Sequence, residues 1–216
     1  MSYLIQQGQI ITASDRYVAD ILVEGESIVA IGHHLPIPPH TTIVDARGKY
    51  VFPGFIDPHV HVYLPFMGTF AKDDYATASR AAIVGGTTTI IEMCCPSRQE
   101  DPWEAFQLWK AKAVGMSACD FSFHMGVTRF DDGTEAQLRR IVQEGISSFK
   151  VFLAYRGFFG VDDSELFRTL RLAKDLGVVV TAHCENESLV AELQRKLLSE
   201  GKTGPEWHEP SRPIAV

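Results

Sequence analysis

From residue 53 onward the chain repeats a strand, a loop and a helix, and this repetition limits the fold more than any other feature. Apolar β-branched runs such as Thr87–Met93 alternate with stretches of helical character. One of these stretches, Pro102–Ala113, begins with Asp101 as N-cap and proline at the first helical position. Five βα units follow one another in this way, which predicts a parallel α/β architecture. The pattern favours a (β/α)8 barrel.

A doubly wound open sheet is the alternative for such a βα series, but it is disfavoured here. Dinucleotide-binding sheets carry a Gly-x-Gly-x-x-Gly turn after their first strand, and this sequence has none at that place. Residues 1–52 show a different pattern, which predicts short strands separated by tight turns. We therefore assign residues 1–52 to a small β module and residues 53–216 to the first part of the barrel.

Composition excludes several classes of partner and location. The formal net charge is −7, which argues against nucleic acid and anionic membranes as partners. No run approaches the length of apolar sequence needed to cross a bilayer, and the N-terminus lacks the pattern of a secretory signal. The four cysteines show no Cys-x-x-Cys pair and are interpreted as reduced thiols. These features predict a cytoplasmic protein.

The stretch from Val51 to Pro65 carries the first candidate ligands. It is expected to begin as a buried strand, with apolar Phe55 and Ile56, and it ends in the pair His59 and His61. Side chains at positions i and i+2 of a strand lie on one face, so the two imidazoles can bind one metal ion together. Asp57 has the same parity, so it is a candidate for a further ligand or a partner of a ligand.

The fourth and fifth strands add two more candidates at the same predicted rim. Lys150 stands between Phe149 and Val151, where an ammonium is costly to bury. Burial lowers the pKa of a lysine, and a neutral amine can react with carbon dioxide to give a metal-bridging carbamate. Extension of the side chain to the strand end, or a carboxylate partner, is the other interpretation. His183 ends an apolar run, as either a core residue or a ligand.

Other polar residues near the strand ends have a structural interpretation. His124, on the third strand, is expected to make a core hydrogen bond. Cys94, Cys95 and Cys184 lack an evident base and are expected to pack in the core or line a pocket.

Several motifs together resemble one family. They are Gly54-Phe-Ile-Asp-Pro-His-Val-His61, Lys150 in Phe-Lys-Val-Phe, Thr181-Ala-His-Cys-Glu-Asn186, Glu92-Met-Cys-Cys-Pro-Ser97 and the segment Gly204–Pro213. This set is similar to hydantoinases and dihydropyrimidinases, the cyclic amidases of the amidohydrolase superfamily. The resemblance covers nearly the whole chain. It implies a (β/α)8 barrel beside a small β-sandwich, and a homotetramer or homodimer.

The resemblance also implies a site with a pair of zinc ions, or manganese or cobalt in their place. His59 and His61 would hold the more buried ion and His183 the more exposed one, with a carboxylated Lys150 bridging the two. A hydroxide shared by the metals would attack the amide carbonyl of a cyclic substrate. Tyr155 would hydrogen-bond that carbonyl and stabilise its negative charge. Leu64, Phe152 and Phe159 would form the pocket for the exocyclic substituent of the substrate.

The family takes a further metal-binding histidine from the sixth strand and its catalytic aspartate from the eighth, beyond the residues of this sequence. We therefore expect the N-terminal portion of a longer barrel, which alone would expose strand edges and aggregate. Three alternatives stay open. They are another cyclic amidase, such as an allantoinase or a dihydroorotase-like enzyme, a non-catalytic relative acting in binding and assembly, and a non-functional truncation product.

Overall fold

The computed structural model describes residues 1–66, 68–214 and 216. The chain divides into two compact units, Met1–Phe55 and Ile56–Val216. The division predicted from the sequence, between residues 52 and 53, lies slightly earlier in the chain and stays a prediction.

The first unit is built on one mixed sheet. Its strands are β1 (Ser2–Ile11), β2 (Arg16–Glu24), β3 (Ser27–Gly32), β4 (Thr41–Asp45) and β5 (Tyr50–Val51). The sheet order is β3-β2-β1-β4, with β5 also beside β1. The sequence predicts two strands where β1 is continuous, with a register irregularity between Ile5 and Gly8. A β-sandwich needs a second sheet, and residues 1–55 form only this one, so the sandwich stays a prediction.

The second unit contains the βα series. Its strands are β6 (Phe55–Val60), β7 (Pro65–Phe66), β8 (Thr69–Phe70), β9 (Thr87–Cys94), β10 (Asp120–Gly126), β11 (Ser148–Phe152) and β12 (Val179–His183). Its helices are α1 (Tyr75–Val84), α2 (Pro102–Ala113), α3 (Asp132–Gln143), α4 (Asp163–Leu176) and α5 (Glu187–Ser199). The turn-rich segment predicted after Gly204 contains two short 3-10 helices, Pro205–Trp207 and Glu209–Ser211; Ala215 in that segment lies outside the described residues.

The five-stranded sheet of the second unit confirms the predicted parallel α/β series. Its order is β6-β9-β10-β11-β12, so each strand lies beside the preceding strand of the series. The pairs β9–β10, β10–β11 and β11–β12 are parallel. A doubly wound sheet reverses its strand order at a switch point, and this sheet does not, which rejects that alternative. The strand order is that of part of a (β/α)8 barrel.

The helices begin where short polar side chains can cap them. Asp101 accepts hydrogen bonds from the backbone N–H groups of Trp103 and Glu104, and Pro102 is the first residue of α2. The sequence predicts the bounds of this helix correctly. Gly177 ends α4 with φ = 69°, a left-handed conformation that glycine adopts without steric cost.

The core of this unit lies between the helices and one face of the sheet. Trp109 and Phe106 of α2 and Phe149 of β11 are its largest fully buried side chains. Because side chains alternate along a strand, the neighbours of Phe149 on β11 are on the opposite face of the sheet. That second face carries the candidate site. None of the helices in the described part of the chain is both long and apolar enough to cross a bilayer.

The expectation that the first barrel strand is buried is wrong for this chain. All but the last residue of β6 are exposed, and the side chains of Phe55 and Ile56 are 50% and 63% accessible. Within the described residues, β6 pairs on one side only, with β9. Apolar composition shows that a strand has faces suited to burial, but it does not show whether a neighbour covers them.

Candidate metal centre

Alternation along the strands brings the candidate ligands to one face of the sheet. Phe149 and Val151 pack in the core under the helices, so Lys150 between them points to the other face. His124 has this orientation on β10, because Phe123 and Met125 on either side of it lie in the same core. The sequence shows this parity directly, which is why the strand-end candidates could be found without a structure.

His124 makes the core hydrogen bonds predicted for it. Its Nδ1 lies 2.5 Å from Ser148 Oγ on β11, and its Nε2 lies 2.8 Å from the carbonyl oxygen of Pro58 on β6. With both ring nitrogens engaged, this histidine has no free nitrogen for a metal ion. It ties β6, which carries the histidine pair, to the centre of the sheet.

The two histidines at the end of β6 lie side by side. The ring centroids of His59 and His61 are 5.3 Å apart, and both residues are exposed. Loss of hydration, followed by the charge of Lys150, lowers the pKa of His59; loss of hydration and the charge of His59 lower the pKa of His61. Both effects favour neutral imidazole, the form that binds metal ions. Asp57 Oδ1 accepts a hydrogen bond of 3.1 Å from the backbone N–H of His59.

Lys150 is buried without a counter-charge. The residue is 3% exposed, and its Nζ makes no hydrogen bond or ion pair with the residues that the structure describes. Burial lowers the pKa of its ammonium group. The carboxylate partner considered in the sequence analysis is therefore absent from the described part of the chain. A neutral, unpartnered amine is the form of lysine that can react with carbon dioxide.

His183, at the end of β12, is oriented by a carboxylate that the sequence analysis did not identify. Its Nε2 lies 2.7 Å from Glu185 Oε2, and Glu185 Oε1 lies 2.9 Å from Arg212 Nε. Burial acts to raise the pKa of Glu185, but the hydrogen bond with His183 and the charge of Arg212 outweigh it, and the pKa is lowered. An ionised Glu185 bonded to Nε2 leaves Nδ1 of His183 free for a metal ion.

The donor set fits a metal centre only when Lys150 belongs to it. Within residues 1–66, 68–214 and 216, no three His, Cys, Asp or Glu side chains converge closely enough to hold an ion. The Nζ atom of Lys150 and the ring of His183 both lie near the ring of Phe152, at 5.0 and 5.9 Å from its centroid. The bond between His124 and the Pro58 carbonyl oxygen holds β6, which carries His59 and His61, to this sheet. Neutral imidazoles and a carbamate oxygen are ligands that zinc, manganese and cobalt accept. The residues present therefore fit such a centre.

Tyr155 lies beside this region in the loop after β11. Its ring centroid is 5.3 Å from that of His183. Burial and the negative charge of Glu185 raise the pKa of the phenol, so the hydroxyl group stays protonated and able to donate a hydrogen bond. The backbone of Tyr155 has φ = 63°, in the left-handed region that non-glycine residues rarely adopt.

The three residues predicted for the substituent pocket belong to one apolar cluster. Phe152 and Phe159 are buried and stacked, with ring centroids 5.1 Å apart, and Leu64 packs against them. Cys95 is buried in the same cluster, and burial raises the pKa of its thiol to about 12. The thiol is therefore a packing group and not a nucleophile. Beyond Phe159 and Cys95 lies a cavity of about 210 Å³, also lined by Trp109.

Glu92 is a second functional candidate that the sequence analysis did not single out. The residue is 1% exposed, and its carboxylate accepts hydrogen bonds from the backbone N–H groups of Val62, at 2.9 Å, and Tyr63, and from the hydroxyl group of Tyr75. Burial raises its pKa to about 7, against the effect of the backbone donors. Glu92 thus holds the residues that follow His61. Glu92 could have been identified from the sequence, because it is an acidic residue inside the apolar run Thr87–Met93.

Comparison with known proteins identifies relatives along almost the whole chain. Residues 50–209 match the model of the amidohydrolase family. The chain is 42% identical over 214 residues to the D-hydantoinase of Geobacillus stearothermophilus, covering 99% of this chain and 45% of the relative. It is 39% identical over 219 residues to the dihydropyrimidinase of Rattus norvegicus, covering 99% of this chain and 42% of the relative.

The fold comparison agrees with these relatives. The crystallised D-hydantoinase (dihydropyrimidinase) from Thermus sp. matches with a TM-score of 0.96 and 68% sequence identity, over 99% of this chain and 47% of that chain. The partial barrel described above is thus the corresponding part of the hydantoinase barrel. The chain spans less than half the length of each of these relatives.

Proposed function

This chain belongs to the amidohydrolase family, in its hydantoinase and dihydropyrimidinase group, and from that premise we propose that it supplies the metal-binding half of a cyclic amidase. The proposed reaction is hydrolytic opening of the ring amide bond of hydantoins or dihydropyrimidines. The observation that carries the proposal is that Lys150 is buried, has no partner among the described residues, and lies with His183 against the ring of Phe152. A structural lysine at this depth would need a carboxylate partner, whereas a carboxylated lysine needs the metal ions themselves.

In this proposal four side chains would hold the metal ions. His59 and His61 would bind one ion, His183 would bind the other, and the carbamate of Lys150 would contribute oxygen ligands. Zinc, manganese or cobalt bound there would supply Lewis acidity and a strong oxygen nucleophile near neutral pH. Glu185 keeps His183 in the tautomer that ligation requires, through the hydrogen bond to Nε2.

Tyr155 is proposed to act on the substrate directly. Its protonated hydroxyl group donates a hydrogen bond to the ring carbonyl and stabilises the negative charge that develops there on attack. The leaving ring nitrogen needs a proton from a general acid. We assign that acid to the part of the relatives that extends beyond this chain, since no group near Tyr155 is a suitable donor among the residues described.

The apolar cluster is proposed to select substituted rings. Leu64, Phe152 and Phe159 would contact the exocyclic substituent through apolar surface. The substrate is therefore a small-molecule cyclic amide. A cytoplasmic location, a homotetramer or homodimer, and the absence of nucleic-acid or membrane partners remain predictions from the sequence.

The test is ring-opening by the complete enzyme, in which this chain is followed by the barrel-completing part that its relatives possess. Hydantoin, a 5-substituted hydantoin and dihydrouracil should be opened to their N-carbamoyl products, followed by chromatography. Tyr155→Phe should lower kcat by about a hundredfold, as loss of one oxyanion donor does. Hydrolysis of allantoin or dihydroorotate alone would support those amidases instead, and a folded protein that opens no ring would support a non-catalytic relative.

A further inference from the structure

We propose that Glu187 is a positioning residue for Tyr155, acting through the hydrogen bond between its carboxylate and the Tyr155 backbone. The inference rests on the proposed function for the role of the tyrosine, but its structural basis is independent of that function. Neither the sequence analysis nor the proposed chemistry assigns a role to Glu187.

Tyr155 needs support because its backbone is strained. At φ = 63° Tyr155 is in the left-handed region, which is unfavourable for a residue with a side chain. Such a conformation persists only where surrounding contacts impose it. It also sets the direction in which the phenol leaves the chain, so the contacts that impose it determine where the hydroxyl group lies.

The hydrogen bonds of the Tyr155 peptide groups are the contacts that impose this conformation. The N–H of Tyr155 donates to Glu187 Oε2 at 2.6 Å. Its carbonyl oxygen accepts from the backbone N–H groups of Phe158, Phe159 and Gly160, at 3.0 to 3.1 Å. The three acceptor bonds arise within the loop, whereas the bond to Glu187 is the one that comes from another element.

The far end of the loop is fixed separately. Gly160 approaches the loop so closely that a Cβ there would lie 2.6 Å from the carbonyl oxygen of Ala154. Arg98 donates to the carbonyl oxygen of Gly160 at 2.7 Å and forms an ion pair of 2.7 Å with Glu165. With Gly160 held in this way, Glu187 supplies the hydrogen bond from another element that restrains the backbone at the Tyr155 end, while the Tyr155 ring contacts Phe66 and His183.

Helix capping does not account for Glu187. Asn186 is the N-cap of α5, and its Oδ1 accepts the hydrogen bond from the Leu189 N–H at 3.2 Å. An acidic residue in the first turn of a helix also stabilises it through the helix dipole. The helix-dipole effect depends on the negative charge of residue 187. The hydrogen bond to the Tyr155 N–H depends instead on a side chain long enough to place an acceptor oxygen there. The two roles therefore predict opposite rankings of Glu187→Gln and Glu187→Asp.

The experiment measures kcat and KM of the complete, metal-loaded enzyme with a ring that the parent opens. Glu187→Gln keeps the reach and an acceptor oxygen, and its kcat should stay within about threefold of the parent. Glu187→Asp keeps the charge but is one methylene shorter, and its kcat should fall by about tenfold with KM changed much less. Glu192→Ala removes an exposed carboxylate from the same helix and serves as the matched control.

Two further readouts separate positioning from a general loss of structure. In a Tyr155→Phe background, Glu187→Asp should change kcat by less than about twofold, because the hydroxyl group it positions is gone. Amide hydrogen exchange at Tyr155 should accelerate in Glu187→Asp and not in Glu187→Gln. The exchange result does not depend on activity, so it stands even where the proposed function fails.

The opposite results would overturn the inference. One such result is a lowered kcat in Glu187→Gln with a normal kcat in Glu187→Asp. Another is a loss of kcat in Glu187→Asp that is just as large in the Tyr155→Phe background. A third is an unchanged rate of hydrogen exchange at the Tyr155 amide in Glu187→Asp. A loss of kcat in Glu192→Ala equal to that in Glu187→Asp would also count against it.

Discussion

Lys150 shows how one residue can favour function over stability. Its side chain is buried between core strands without a described partner, and its pKa is lowered by that burial. An amine in such a place destabilises the fold unless another interaction compensates for its burial. In the proposed function, carboxylation and metal binding would supply that compensation.

Lys150→Met is expected to raise the free energy of unfolding of the metal-free protein by about 1–2 kcal/mol, because methionine fills a similar volume without an ammonium group. Denaturant titration in the presence of a chelator measures the change. Lys110→Met is the control, since Lys110 is exposed and pairs with Glu144 at the surface; it should change stability by less than about 1 kcal/mol. A metal-free Lys150→Met protein less stable than the parent would contradict this explanation.

The sequence draws attention to the candidate ligands more readily than to the residues that contact them. His59, His61, Lys150 and His183 stand out because they break apolar strands at positions of known parity. Glu185 stands two residues after His183 in the motif Thr181–Asn186, but the sequence does not show that its carboxylate turns back to the imidazole. Its ion pair with Arg212 joins residues far apart in sequence and leaves no local pattern.

At the level of elements, Glu92 joins β9 to the segment after β6. Three donors meet its buried carboxylate, two of them backbone N–H groups just after His61. The backbone hydrogen bonds from Val62 and Tyr63 favour the ionised form of Glu92. Burial opposes ionisation more strongly, so the pKa of Glu92 is raised to about 7. The segment that follows the histidine pair is thus held by a group that titrates near neutral pH.

Glu92 should make the fold less stable as the pH rises. The unfolded chain loses this proton near its ordinary pKa of 4.5, whereas the folded chain keeps it until about pH 7. The folded state therefore binds more protons in that window, and its free energy of unfolding should fall by up to about 3 kcal/mol between these pH values. Glu92→Gln cannot ionise and should lack this component, which denaturant titrations of both proteins at pH 5, 6, 7 and 8 would measure as a difference. Parallel curves for the two proteins would contradict the assignment.

Features of the helices and strands were predicted well where a few adjacent residues determine them. They were predicted less well where they depend on which other strands pack nearby. The first residue of α2 follows from Asp101 and Pro102. The burial of β6 was wrong, because exposure of Ile56 depends on whether another strand covers it. The continuous β1 was predicted as two strands because Gly8 was interpreted as a break, whereas the structure accommodates it in a register irregularity between Ile5 and Gly8.

For the whole molecule, the strand order could be predicted and the closure of the sheet could not. Sequential βα units imply neighbouring parallel strands, and the sheet order confirms this. The outer strands, β6 and β12, each have one neighbour among the described residues and expose apolar side chains such as Ile56 and Val179. Nothing in the repetition itself shows what covers these strands.

We expect the 216-residue chain expressed alone to self-associate, because open strand edges with apolar side chains pair with one another. Size-exclusion chromatography with light scattering should show heterogeneous, large species. The complete enzyme at the same concentration should give one discrete species. A monodisperse, cooperatively unfolding 216-residue chain would contradict this expectation.

The metal content of the complete enzyme, purified without added metal, tests the central claim most directly. Mass spectrometry of the parent protein should find about two ions of zinc, manganese or cobalt per chain, as a binuclear centre requires. Lys150→Met, which lacks the bridging ligand, should hold less than about half an ion under the same conditions. A parent enzyme that opens hydantoin or dihydrouracil while holding no metal, or a Lys150→Met protein with full metal content, would contradict the account.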